Sequence, residues 1–229
     1  THAANVSLHS NLSFDPEKDF LPIAGYVDVP MVLLVRSDFP AQDVKEFVEV
    51  ARERAAEKNP LNYGSGNTAG QVASALLKSA TKVNMTHVPY KGSAQAIQDL
   101  LGGHIDFLFT DVFSPLSLVE TGRLRVLGVA DEKRHALLPQ VPTLAEVGYG
   151  DVKVVAWNGF FAPADTDPAI VNRLSTEIND VLDQPRTSEA LQKMGLTPMK
   201  MTSAELTAFV SAEIERWRNN VELAGIEKK

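Results

Sequence analysis

Short runs rich in β-branched and aromatic residues alternate with amphipathic helical stretches along nearly the whole chain, a pattern that predicts an α/β protein built on a parallel sheet. Residues 20–36 predict two strands around Val29-Pro30, and 41–57 predicts a helix, with Val44, Phe47, Val48, Ala51 and Ala55 recurring at helical spacing. LNYGS, from Leu61, is a short strand running into a glycine-rich turn and a helix over 68–81. NMTHVPY, ending at Tyr90, is a strand that exits into Lys91-Gly92. A helix over 93–101 stops at Gly102-Gly103, a strand covers 104–110, and a helix over 115–120 stops near Gly122. LRVLGVA, 124–130, is almost continuously apolar and so predicts a strand covered on both faces. Pro139 and Pro142 keep 133–142 irregular, after which a short helix near Leu144 and a long strand over 152–161 are expected.

The C-terminal third predicts helices. Asp167 is an N-cap followed by Pro168 at the first helical position, with Ile170, Leu174, Ile178 and Val181 as the apolar stripe. Thr202 and Glu205 have capping-box spacing. The last helix places Val210, Ile214, Trp217, Val221 and Ala224 on one face, leaves Glu213, Glu215, Arg216 and Arg218 mostly on others, and ends at Gly225. Both stripes are expected to be core faces. Two long extended segments, 86–91 and 155–162, suggest crossings between lobes, so that 1–89 with 156–229 form one lobe and 90–155 the other. A length of 229 residues suits two modest lobes.

Composition narrows the function classes. With 44% hydrophobic and 22% charged residues the chain is of ordinary globular type. A net charge of -7 without a basic block disfavours nucleic acid as a partner. The absence of cysteine excludes thiol chemistry, disulfides and cysteine-ligated zinc. No apolar run is long enough for a membrane span, and the start THAANVSLHS lacks the features of a signal peptide, so any targeting segment is expected to have been removed.

Three strand ends carry candidate chemistry. GSGNTAG, 64–70, lies at a strand-to-helix junction, where free N–H groups and the helix dipole favour an anion and Ser65, Asn67 and Thr68 add side-chain donors; a plain turn with an N-cap reads the same residues. Its glycine spacing fits neither a dinucleotide fingerprint nor a P-loop, and the flanks of Ser65 do not make a nucleophile elbow. VPYKGSA, 88–94, repeats that physics with Lys91 beside a helix start, where a carboxylate or only solvent would face it. FLFTD ends at Asp111, either a partner for a ligand hydroxyl or amine or the cap of the helix near Pro115. His2, His9, His87, His104 and His135 show no metal-ligand spacing, and a Ser65, His87 and Asp111 triple can be written without any supporting motif. An α/β hydrolase or transferase using Ser65 or Asp111, and a ligand-sensing domain of a regulator, remain as other readings.

The runs VPYKGSAQAIQDLLGGHIDFLFTD, GRLRVLGVADEKRHALLPQVPTLAEVG and WNGFFAPADT, with FDPEKDFLPIAGY and LNYGSGNTAG, closely resemble the Bug family, the extracytoplasmic solute-binding receptors of tripartite tricarboxylate transporters. The resemblance runs the length of the chain. It implies a two-lobe type II periplasmic-binding-protein fold, the Venus-flytrap arrangement, that captures a small carboxylate-bearing ligand between lobes and delivers it to the membrane permease subunits. A periplasmic monomer with no cofactor, no metal and no catalysis is implied as well. Carried over by position, the first-lobe contacts are His2, in the Thr1-His2 loop, with Ser65, Gly66, Asn67 and Thr68; the second lobe contributes Tyr90, Lys91, Gly92, Ser93, Thr110, Asp111 and Val112. Trp157 falls in the segment similar to the family's return crossing. Gln71 stands where family members usually carry His, and the first β-α portion of the family's first lobe finds no match, so the chain is expected to enter the pattern after it. The expected mode of binding is a carboxylate held by N–H groups and hydroxyls at two helix N-termini, directly or through ordered waters, with Lys91 adding charge.

Overall fold

In the computed structural model, which describes residues 2–228, the elements run in the order α1 (Asn5–Leu8), β1 (Phe20–Pro30), β2 (Val32–Arg36), α2 (Val44–Ala56), β3 (Asn62–Ser65), α3 (Thr68–Thr81), β4 (Thr86–Pro89), α4 (Ser93–Leu101), β5 (Phe107–Thr110), α5 (Leu116–Glu120), β6 (Leu124–Val129), β7 (Val155–Pro163), α6 (Pro168–Leu182), α7 (Pro185–Lys193), β8 (Thr197–Pro198) and α8 (Ser203–Leu223). They group into two compact units. One comprises Thr1–Val29, Trp157–Glu222 and Ile226–Lys229; the other comprises Pro30–Ala156 with Leu223–Gly225. This differs from the expected division at residue 89. β3 hydrogen-bonds to both β4 and β5, and β2 to β5 and β6, so residues 30–89 belong to the same sheet as β5 and β6, and the stretch 86–91 supplies an edge strand of that sheet instead of a crossing.

The larger unit holds a five-stranded sheet in the order β4-β3-β5-β2-β6. It is mixed, not purely parallel: β3 runs parallel to β4 and β5, whereas β2 is antiparallel to both β5, with Val32 opposite Thr110, and β6. Val32, Leu33, Leu34 and Val35 are all fully buried, as a central strand covered on both faces requires. On one face Val32, Leu34 and Leu108 pack with Ala96, Ile97 and Leu100 of α4. On the other, Phe107 meets Phe47 of α2 edge-to-face at 5.0 Å and lies 5.5 Å from the Tyr63 ring. The helix expected near Leu144 is a turn: Thr143 and Glu146 cap one another, and Gly148 at a φ of +93° turns the chain away at once.

The smaller unit carries the three-stranded sheet β7-β1-β8 and the helices α6, α7 and α8. Its α8 buries Val210, Ile214, Trp217 and Val221 as the pattern predicts, and Leu206 besides, whereas Ala224 lies just past the helix and is only half-buried; Thr202 and Glu205 cap α8 reciprocally. Glu213, however, is buried: it accepts from the Trp157 indole N–H at 2.8 Å and from Arg216 at 2.6 Å. α6 departs further. Ile170, Leu174 and Val181 are 52%, 41% and 48% exposed, and the buried face is Val171, Ser175, Asn179 and Leu182. The helix is turned by about one residue because Asn179 donates to the Met201 carbonyl and Ser175 Oγ accepts from the Ser203 N–H, fixing the polar face against the segment before α8. No helix among the described residues is long and apolar enough to cross a membrane.

Candidate ligand-binding site

β3 and β4 lie side by side and parallel, so the loops that leave their C-terminal ends emerge together. Tyr90 N–H donates to the Ser65 carbonyl at 2.9 Å and prolongs the ladder to the start of both loops. From there each chain turns directly into a helix, α3 or α4.

Glycine is what lets the two turns touch. A Cβ on Gly66 would overlap the Ser93 nitrogen and the Gly92 carbonyl carbon, so at this point backbone packs on backbone. Asn67 Nδ2 bridges the same gap to Ser93 Oγ at 3.2 Å. One turn into α3, a Cβ on Gly70 would overlap the Phe109 carbonyl oxygen, which brings the helix start against the end of β5. Ser65, Gly66, Asn67 and Thr68 are thus gathered with Gly92 and Ser93, and the start of α3 also meets the β5 end that leads into Thr110 and Asp111.

The two helix starts differ electrostatically. Asn67 accepts from the Gly70 N–H at 2.7 Å and caps α3. Gly92 has no side chain to offer, so the first turn of α4 receives no side-chain cap and its N–H groups remain the better place for an external oxygen anion. Nothing stands within 4 Å of where a Gly92 Cβ would sit, so the space beside this donor set is open. Lys91 is exposed and, among the described residues, forms no ion pair, which leaves its charge available.

The other sequence-nominated residues have evident structural work. The Tyr90 ring packs 3.2 Å from where a Gly64 Cβ would lie, and its hydroxyl donates to Asp99 at 2.7 Å. Burial first, then the Asp99 carboxylate, push that hydroxyl up to about 12. Asp111 accepts from the Ser114 N–H at 2.7 Å, the Ser114 hydroxyl at 3.0 Å and the Thr110 hydroxyl at 3.3 Å and so ties the turn that leads to α5, whose own N-cap, Pro115, receives no side-chain hydrogen bond. Thr110 is fully buried, and the Val112 side chain lies in the core. His2 belongs to the other unit. It sits 4.4 Å from the Phe161 ring and 5.2 Å from Phe20, with Nε2 3.1 Å from the Pro16 carbonyl, and burial holds its pKa below the ordinary value. Thr1 lies outside the described residues.

Two partners are not among the expected site residues, and the sequence sets His87 beside Ser65 only in a triple without a supporting motif. His87 Nε2 lies 2.6 Å from Ser65 Oγ, and Asp99 anchors Tyr90. The alternation in HVP offered a signal for the first, because parallel pairing of Ser65 with Pro89 and Tyr63 with His87 puts these side chains on one face of the sheet. Elsewhere in this unit a concavity of about 530 Å3 is lined by Ser37, Asp43, Arg125 and Gln140, but Arg125 spends its guanidinium on the Ala41 and Ser37 carbonyls and acts as a strut. No cluster of metal-ligating side chains occurs among the described residues.

Comparison with known proteins identifies the family and the fold. The model of the tripartite tricarboxylate transporter family receptor, TctC, matches residues 1–226. A UPF0065 protein from the tcbD-tcbE intergenic region of Pseudomonas sp. (strain P51) is 34% identical over 92% of this chain, which spans 62% of that relative's length. Among solved structures, R. palustris Rpa4515 with adipate superposes at a TM-score of 0.93 with 31% identity, covering 100% of this chain and 76% of that one. MatC (Rpa3494) from Rhodopseudomonas palustris with bound malate gives 0.85 with 30% identity, covering 96% and 76%. The two-sheet α/β architecture is therefore that of the family's periplasmic binding proteins, and the chain belongs to the TctC, or Bug, family of tripartite tricarboxylate transporter receptors.

Proposed function

We propose that this protein is a periplasmic solute-binding receptor that captures a small dicarboxylate and hands it to the membrane permease subunits of a tripartite transporter, catalysing no reaction. The observation that carries the reading is the backbone contact of Gly66 with Gly92 and Ser93, which sets the side-chain-capped start of α3 against the start of α4 that has no such cap. One carboxylate of the ligand sits at the α4 N-terminus, within reach of Ser93 and the Asn67 amide, with Lys91 as an outlying charge. Adipate and malate, named with two of the relatives of solved structure, are both dicarboxylates and support that class. Because the whole chain carries a charge of -7, attraction of the anion is local to these donors.

Thermal shift against mono-, di- and tricarboxylates and acidic amino acids tests the reading. A ligand at 100 times its dissociation constant is expected to add about 2.7 kcal/mol of stability, and a flat response across the panel refutes carboxylate capture. Lys91→Ala is expected to weaken binding by about two- to fivefold at low salt and by less at high salt, as an exposed charge should. Equal affinity of the variant and the parent takes Lys91 out of the site. The Ser65–His87 contact favours a hydrolase as the second reading, but the Asp111 carboxylate that would complete a triad is engaged by Ser114 and Thr110.

A further inference from the structure

Ser65 Oγ and His87 Nε2, at 2.6 Å, share a single hydrogen, and which atom owns it decides what Ser65 can offer a ligand. If the hydroxyl donates to the imidazole, the serine presents only lone pairs to its surroundings and repels a carboxylate. If Nε2–H donates to the hydroxyl oxygen, the serine proton is freed for an acceptor at the C-terminal end of β3. Ser65 is only 5% exposed, so water has little part in the choice and the neighbouring protein groups make it.

The imidazole is held for this task. It stacks on the Tyr63 ring with centroids 5.0 Å apart and planes 21° from parallel, and Tyr63 is itself buried against Phe107. The Ser65 main chain is fixed too, since its carbonyl accepts the Tyr90 N–H. Both partners of the short contact therefore sit on paired strands with little freedom to separate.

We propose that His87 is a positioning residue of the site: it carries its proton on Nε2, donates it to Ser65 Oγ, and so turns the Ser65 hydroxyl proton toward the bound carboxylate. The assignment rests on the receptor reading for the use of that proton, and on the Ser65–His87 geometry for its placement. A serine locked as a donor binds a charged acceptor more strongly than a neutral one, so a carboxylate is retained and an amide or ester of the same skeleton is held less well.

The test uses the full chain with 15N-labelled histidine at about pH 8, where an ordinary imidazole is neutral. Long-range 1H–15N spectra should show His87 protonated at Nε2 without ligand and with adipate or malate. By calorimetry with the same two probes, Ser65→Ala and His87→Phe, the latter keeping a ring on Tyr63, should each weaken binding about tenfold, and the double variant no further. His87→Gln, which restores an N–H at the Nε2 position, should stay within about threefold of the parent. A bare Nε2 in the spectra overturns the proposal, and so does a folded His87→Phe variant of unchanged affinity. If the parent binds neither probe, the receptor reading falls and the use of the proton falls with it, while the spectra still report separately whether the hydrogen lies on Nε2.

Discussion

Phe107→Ala is expected to cost about 3 to 5 kcal/mol. Phe107 is fully buried at the start of β5, in the middle of the sheet, and its ring is the shared neighbour of Phe47 from α2 and Tyr63 from β3. Removing it leaves a cavity between two layers that a strand hydrogen-bonded on both sides cannot collapse to fill. The loss should also reach the site, since Tyr63 is the surface on which the His87 imidazole rests. Urea unfolding followed by circular dichroism measures the effect. A change below about 1 kcal/mol at constant slope would mean that the aromatic stack relaxes freely, contrary to the packing described.

Gly66→Ala is expected to abolish dicarboxylate binding while lowering stability by about 1 to 3 kcal/mol. The added methyl meets backbone, not the end of a flexible side chain, so α3 and α4 have to move apart at the point where their starts converge. A displacement of even a fraction of an ångström there separates the Asn67 amide from Ser93 and misaligns the donors of the two loops. Gly92→Ala is the contrast for stability: its φ of -172° is ordinary extended backbone and open space surrounds the new methyl, so the melting temperature should hardly change. A Gly66→Ala protein that melts like the parent and still responds to adipate or malate would show that the backbone contact is dispensable.

Local signals in the sequence carried the helices that frame the site. α3 and α4 run over the residues that the pattern indicates, because Asn67 caps one and Gly102-Gly103 stop the other, and both signals act within a turn or two of chain. The strand-to-helix turns likewise announce themselves through glycine and hydroxyl residues. What escaped depends on partners distant in sequence. The face of α6 is chosen by the hydrogen bond Asn179 donates to the Met201 carbonyl and the one Ser175 accepts from the Ser203 N–H, which outweigh the hydropathy of Ile170, Leu174 and Val181. The antiparallel direction of β2 is set by the distant strands β5 and β6, and the pairing of Ser65 with His87 by the register of β3 on β4. Asp111, which the sequence leaves between binding and capping, holds Ser114 in the turn before α5 and does not cap that helix.

The grouping of the chain also has a bearing on the order in which the protein assembles. Nearly all of the larger unit is one uninterrupted stretch, Pro30–Ala156, whereas the smaller sheet joins strands from opposite ends of the sequence, with Val27 of β1 paired to Pro198 of β8. The larger unit can close its loops, all of moderate length, within that one contiguous stretch of chain. β1, which carries apolar Ile23, Ala24 and Val27, lies between β7 and β8 and completes its pairing only with strands that follow the larger unit's stretch in sequence. Pairing across so long a sequence separation is expected to make the smaller sheet the slower of the two to form.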